Sequence, residues 1–317
     1  MKRSLLIGTA TAVALLGVLS ASQDKLIYIQ RSYESHGLRN YYHNLKSQFE
    51  DRSRRVLLEV SYNTSAGEQT AFWIPPASDA IEKKTFEKLW VVFGGNAQLA
   101  LDWLWLMNNL GEEFTKHSFL LIDYPGYGRC QGSKPGSGVI TESATRAAEQ
   151  VIGMLYENST DKIPDIGVLA HSLGCAAGLQ FALATRYPVN HFVLVSPFSS
   201  IPKMAMELFL PRFLHSYPII STSLDTLIAP RNRWHNIEAV EELAQRMRRE
   251  QRTANFIVIH GDNDEICPYH QGEEVYNKAL QFKSTYKTQF IPVQGGDHNG
   301  IMEMASNLII RAMKARL

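Results

Sequence analysis

The run Gly167-Val168-Leu169-Ala170-His171-Ser172-Leu173-Gly174-Cys175-Ala176-Ala177-Gly178 constrains the fold of this chain more than any other stretch. Its apolar first half predicts a buried strand, and a small-residue helix begins at or just after Ser172. So abrupt a change places Ser172 at a sharp strand-to-helix corner with its hydroxyl exposed. Small neighbours are needed there, because bulky side chains would strike the adjoining strand and helix. The pattern is Gly-x-Ser-x-Gly with Ala170 at the first small position, which alanine fits when its backbone is not left-handed. Taken alone, the motif also reads as a serine capping a helix N-terminus. The rest of the chain has to decide.

Apolar runs alternate with helical periodicities across some 200 residues, roughly one large domain's worth. Strands are predicted at Val56 to Tyr62, Thr70 to Ile74, Lys88 to Phe93, Ser118 to Ile122, Ile166 to Ala170, His191 to Val195, Phe256 to Ile259 and Thr288 to Pro292. The first two flank a turn-forming Asn63-Thr64-Ser65-Ala66-Gly67 and predict a hairpin. Helices are predicted at Leu99 to Leu110, Thr141 to Tyr156, Leu173 to Tyr187, Ile237 to Arg249, Tyr269 to Phe282, and in a final stretch to Lys314. The alternation is that of an α/β fold, a mostly parallel sheet with helices on both faces. Residues 197–236 break the rhythm with apolar and aromatic pieces between Pro202, Pro211, Pro218 and Pro230. An insertion after a strand of such a sheet lies over the carboxyl edge, where ligands bind, so this stretch reads as a short lid.

The N-terminus carries a different signal. Lys2-Arg3 precede an uncharged apolar stretch, Leu5 to Leu19, followed by Ser20-Ala21-Ser22. Residues 1–22 therefore read as a signal peptide or a membrane anchor, and both put the remaining chain on the lumenal or extracellular side. Residues 23–53 are polar and rich in Tyr, His and Arg, and read as a stalk or peripheral segment; the folded domain is expected at 54–317. Two sequons, at Asn63 and Asn158, are candidate glycosylation sites. The net charge of +1 gives no reason to expect a nucleic-acid partner. Cys130, Cys175 and Cys267 are too few and too scattered for a zinc site or a disulfide framework, and the reading invokes no metal and no cofactor.

Every candidate polar residue follows a predicted strand end, so all gather on one edge of the sheet. A serine hydroxyl at neutral pH needs a base to take its proton. His298 sits in the Gly-rich loop between the last strand and the last helix. His171 adjoins Ser172, but neighbouring strand residues face opposite ways, so it reads as a packing residue, and His260 as a core histidine at a strand end. A histidine base needs a carboxylate on its other ring nitrogen. Asp264 lies farther out than Asp262 on the loop after the next-to-last strand, and Asp262 reads as a turn residue. The order Ser172, Asp264, His298 is that of α/β-hydrolases. Gly94-Gly95-Asn96-Ala97 permits close backbone approach, and Leu173 supplies the amide after the serine, so the loop and Leu173 are candidate donors to a developing oxyanion.

With Phe93-Gly94-Gly95-Asn96-Ala97, Asp123-Tyr124-Pro125-Gly126-Tyr127-Gly128, the Ser172 corner, Asn236-Ile237-Glu238, His260-Gly261-Asp262-Asn263-Asp264 and Gly296-Asp297-His298-Asn299 in view, the chain resembles the α/β-hydrolase superfamily. It most resembles the N-terminally anchored branch of α/β-hydrolase domain-containing proteins related to the yeast bud-emergence protein. The resemblance covers roughly residues 56–317. It implies Ser172 as nucleophile, Asp264 as acid and His298 as base, with the Asn96 and Leu173 amides as oxyanion hole. It also adds weight to a retained N-terminal anchor. Two positions depart from the pattern: Gly94 stands where that branch usually carries histidine, and Ala170 replaces the first elbow glycine.

The expected function is a serine hydrolase cleaving a carboxylic ester or thioester through an acyl-enzyme. Gly95, Met204 and Phe209 are candidate substrate contacts, and the apolar insertion suits an acyl chain. The substrate is then a small-molecule or lipid acyl compound, or an acylated protein. A serine peptidase of the same fold and a non-catalytic hydrolase-fold binding protein are the alternatives.

Overall fold

The computed structural model describes residues 23–35, 38–53, 55–82, 86–132, 134–156, 165–211, 215 and 218–315. The expected signal or anchor at 1–22 and the sequon at Asn158 lie outside them. Eight strands form one sheet: β1 (Leu58–Thr64), β2 (Gly67–Ile74), β3 (Lys88–Phe93), β4 (His117–Ile122), β5 (Asp165–His171), β6 (Val189–Val195), β7 (Ala254–Gly261) and β8 (Tyr286–Val293). Their spatial order is β1-β2-β4-β3-β5-β6-β7-β8. The β1–β2 and β2–β4 pairs are antiparallel and all the others parallel. Central β3, β4, β5 and β6 are buried on both faces, which their near-continuous apolar sequences require. The edge strand β8 has a mixed burial pattern and carries Pro292, a residue without an amide to give to a ladder.

The main helices are α1 (Leu38–Ser53), α2 (Ser137–Tyr156), α3 (Leu173–Ala184), α4 (Ile201–Phe209), α5 (Pro218–Leu227), α6 (Asn236–Arg249), α7 (Tyr269–Leu280) and α8 (Ser306–Lys314). Helix α3 is apolar nearly all round and sits against β3, β5 and β6 beneath α6. Helix α6 buries Ala239, Val240, Leu243, Ala244 and Met247 on one stripe and ends in Arg246, Arg248 and Arg249, favourable at a helix C-terminus. This is the mostly parallel, doubly covered sheet expected from the sequence.

Three stretches differ in detail from the sequence expectations. Leu99 to Leu110 is not one helix but a 3-10 turn, Ala100–Trp103, followed by the short helix Leu104–Met107. The amides of Leu99, Ala100 and Leu101 donate to side-chain oxygens of Asp102, Asp123 and Tyr33, which hold the first turn tight. The insertion at 197–236 contains two helices, α4 and α5, which pack on each other. Residues 23–35 and 38–53, read from the sequence as a stalk or peripheral segment, pack on the domain. Tyr28, Tyr33, Tyr42 and Phe49 are buried in the main core. Their polar look hid this, because the tyrosine hydroxyls find partners inside: Tyr33 donates to Asp123, Tyr42 donates to Asp102, and Tyr28 accepts from Trp234 Nε1.

Candidate active site

The carboxyl ends of β3, β5, β7 and β8 bring Gly94–Gln98, Ser172, Asp264 and His298 to one edge of the sheet. Ser172 sits at φ 53°, ψ −120°, a positive-φ conformation rare outside glycine, and its amide donates to Val195 O across the neighbouring strand. Two packing constraints fix this corner. A Cβ on Gly174 would lie 2.3 Å from the carbonyl oxygen of Phe93, so only glycine lets α3 start this close to β3. Ala170, at the departing position, is fully buried and is not among the positive-φ residues, which is why alanine fits.

His298 Nε2 lies 2.9 Å from Ser172 Oγ, and His298 Nδ1 lies 2.9 and 2.8 Å from the two carboxylate oxygens of Asp264. The carboxylate only accepts, so Nδ1 carries the proton and Nε2 is left to accept from the serine. All three residues are 6–7% exposed. Asp264 Oδ1 also accepts from the amides of Ile266 and Cys267, and His260 Nε2 stands 3.5 Å from Oδ2. Burial by itself raises the Asp264 carboxyl. Hydrogen bonds from His260 and His298, the charge of His298 and the Cys267 amide outweigh it and hold the group well below the usual carboxylate range. Asp262 is exposed, and its Oδ1 accepts from Gly295 N across the β7 and β8 loops. Asp297 accepts from the amides of Asn299 and Gly300 in its own turn.

His171 turns away from the serine. Its Nε2 donates to the carbonyl of His298 at 2.9 Å, and burial, with His298 beside it, pushes its pKa down to about 3. It is therefore a neutral support for the His298 backbone. Gln98 and His260 were not read as site residues. The Gln98 carboxamide oxygen accepts from Gly95 N and stands 3.2 Å from His171 Nδ1, beneath the loop where Gly94 brings no side chain. His260 donates to the carbonyl of Cys267 while its ring faces Asp264. Gln98 is far in the sequence from His171, which leaves no local signal, while His260 stands only four residues before Asp264 and reads as a core histidine at a strand end.

Ser172 opens into an apolar groove. Asn96, Leu173, Met204 and Phe209 line the groove together with the serine. Gly95 packs behind: a Cβ on it would stand 3.2 Å from Ser172 Cβ and 3.0 Å from His171 Nδ1. The opposite wall comes from the N-terminal segment through Gln23, Leu26 and Ile27, and Ile266 closes one side. The Asn96 side chain clasps that segment, with Oδ1 accepting from Ile29 N at 2.7 Å and Nδ2 donating to Leu26 O at 3.2 Å. Among the described residues, no group of three or more His, Cys, Asp or Glu side chains is arranged to hold a metal ion.

The fold and this edge define an α/β hydrolase architecture. The alpha/beta hydrolase family model matches residues 93–298, well over half the chain, and the chain belongs to that family. It is 27% identical over 184 residues to the lysophosphatidylserine lipase ABHD12 of Xenopus tropicalis, covering 54% of this chain and 42% of that protein. The match thus spans less than half the length of that curated relative. Among solved structures, carboxyl esterase 2 of the mycorrhizal fungus Tuber melanosporum superposes with a TM-score of 0.57 at 14% identity, covering 87% of this chain and 97% of that one. An esterase of Pyrococcus furiosus gives 0.55 at 13% identity, over 84% and 93%.

Proposed function

We propose that the protein is a serine hydrolase of carboxylic esters or thioesters with an apolar acyl group. The observation that carries this reading is the chain of contacts from Asp264 through His298 to Ser172 Oγ, with the hydroxyl in a groove whose lining, among the described residues, contains no charged side chain. His298 Nε2 takes the serine proton as Oγ attacks the acyl carbonyl, and Asp264 stabilises the imidazolium. The Leu173 and Asn96 amides are the donors proposed for the oxyanion, where loss of one donor costs about 2.7–4 kcal/mol of transition-state stabilisation. His298 then returns the proton to the leaving alcohol or thiol. In the second half, it takes a proton from water, which attacks the acyl-enzyme and releases the acid. The lipase and esterase names among the relatives agree with this class of substrate. The same reading takes residues 1–22 as a retained anchor with the domain lumenal or extracellular and Asn63, exposed at the end of β1, as a glycan acceptor.

The test is ester turnover by the full chain and by Ser172→Ala with p-nitrophenyl esters of increasing acyl length. The reading expects kcat/KM to rise from acetate to longer chains, and the variant to lose on the order of a million-fold in kcat. Equal turnover by the two proteins would exclude Ser172 as the nucleophile.

A further inference from the structure

Five of the large apolar side chains that line the groove are also exposed: Leu26, Leu208, Phe209, Leu227 and Ile266 are 47, 45, 43, 38 and 45% exposed. A contiguous apolar rim of this kind on a protein surface marks a docking site rather than chance exposure. The rim is made by three separate parts of the chain, the N-terminal segment, the α4–α5 insertion and the loop after β7, so no single helix face accounts for it. Among the described residues, no helix is long and apolar enough to cross a membrane.

The chain outside the described residues says what covers the rim. The apolar stretch Leu5 to Leu19 ends four residues before Gln23, and Gln23 is part of the groove wall. Four residues reach at most about 14 Å even when fully extended. The stretch is also shorter than the ~20 residues that a span requires, so no slack is available between it and the domain. The attachment point cannot swing away from the groove. Gln23 Oε1 accepts from Ala229 N and Asn232 Nδ2, Asp24 pairs with Arg231 and Asn232, and Asn96 clasps residues 26 and 29. These bonds tie the N-terminal segment to the end of the insertion on one side and to the loop after β3 on the other.

We propose that the rim of Leu26, Leu208, Phe209, Leu227 and Ile266 docks on the lipid bilayer that holds Leu5 to Leu19, so that the groove draws its acyl substrate directly from the leaflet. The proposal rests on the ester-hydrolase reading and on retention of the apolar stretch. Apolar side chains at the rim enter the acyl region, while the apolar groove gives an acyl chain a path to Ser172 without crossing water. Val56 and Met154, as exposed as the rim or more so, lie just before β1 and near the end of α2, towards the opposite edge of the sheet, and stay in water.

The experiment uses the full chain reconstituted in phosphatidylcholine vesicles containing a trace of phosphatidylcholine with a diazirine at the end of one acyl chain. After illumination, adducts are mapped by peptide mass spectrometry for the wild type and for Ser172→Ala. Adducts are expected on peptides covering 201–209, 218–229 and 265–268, at least tenfold above those covering Val56 and Met154, in both proteins. Adducts absent from those peptides, or no higher than at Val56 and Met154, would overturn the proposal. So would a chain that remains in the aqueous phase, or one whose rim is shielded in a dimer. Because docking is read in Ser172→Ala as well, a failure of the hydrolase reading would abolish turnover yet leave the adducts in place.

Discussion

Replacing Asp264 by Asn tests the proposed catalytic chain at the point where the structure makes the sharpest statement. Oδ1 accepts from the backbone amides of Ile266 and Cys267 at 3.0 and 2.8 Å, so the side-chain oxygen of an asparagine must stay on that side. The new NH2 group then takes the place of Oδ2, 2.8 Å from His298 Nδ1. A donor there favours Nδ1 as acceptor over the bond to the retained oxygen and moves the ring proton to Nε2, which faces Ser172 at 2.9 Å and in that tautomer can no longer take its proton. In a serine protease triad the same exchange costs about ten-thousand-fold in kcat. That is about 5.5 kcal/mol of barrier. The expected result for Asp264→Asn is therefore a loss of ~10⁴ in kcat for p-nitrophenyl butyrate with KM little changed. Asp262→Asn keeps an oxygen for Gly295 N and should stay within about threefold, well under the ~1.4 kcal/mol that a tenfold change represents. Stopped assays at pH 8, with a melting curve for each variant, decide the matter. A loss under tenfold for Asp264→Asn, or a larger loss for Asp262→Asn, would refute the assignment.

Three further outcomes are expected, two from the geometry and one from the proposed lumenal or extracellular placement. Gly174→Ala pushes a methyl group into the Phe93 carbonyl, so it should cost about 1–3 kcal/mol and lower Tm by several degrees; calorimetry that finds Tm unchanged contradicts the packing at the elbow. Burial pushes Asp123 up to about 7, partly offset by the Ala100 amide and the Tyr33 hydroxyl, so the folded state holds a proton there that the unfolded chain releases near pH 4. With more protons bound when folded, this group's contribution to stability falls as pH rises from about 4 to 7, by at most ~1.4 kcal/mol per unit. Urea unfolding of wild type and Asp123→Asn across that range should show the wild type losing ground to the variant, whereas parallel curves contradict the shift. Expression in a eukaryotic secretory system should yield a form whose gel mobility shifts on endoglycosidase treatment, and Asn63→Gln should remove the part of the shift carried by that residue.

The parts of the fold legible in the sequence were those in which one local signal dominates. Lys88 to Phe93 and Ile166 to Ala170 are apolar without interruption because both faces of their strands are covered. Ser172, Asp264 and His298 stood out because each follows a strand expected from the sequence, and a parallel sheet gathers those ends on one edge. The N-terminal segment was illegible for the opposite reason. It buries tyrosines, whose hydroxyls look polar in a sequence and are satisfied only by distant partners such as Asp123 and Trp234. Gln98 carries no local signal because it meets the site through a contact distant in the sequence, with His171, whereas His260, only four residues before Asp264, reads as a core histidine because nothing in the sequence shows which way its ring faces. The break in Leu99 to Leu110 likewise depends on oxygens from Tyr33 and Asp123, which no helical periodicity reports.

The most direct measurement is the site of covalent attack by a fluorophosphonate on the full chain. The activated serine displaces fluoride, and the phosphonyl group remains on its oxygen, so digestion and mass spectrometry read the nucleophile itself. The account predicts one stoichiometric adduct on the peptide containing Ser172, lost in Ser172→Ala. An adduct on another serine, or a folded protein that takes none, would contradict it.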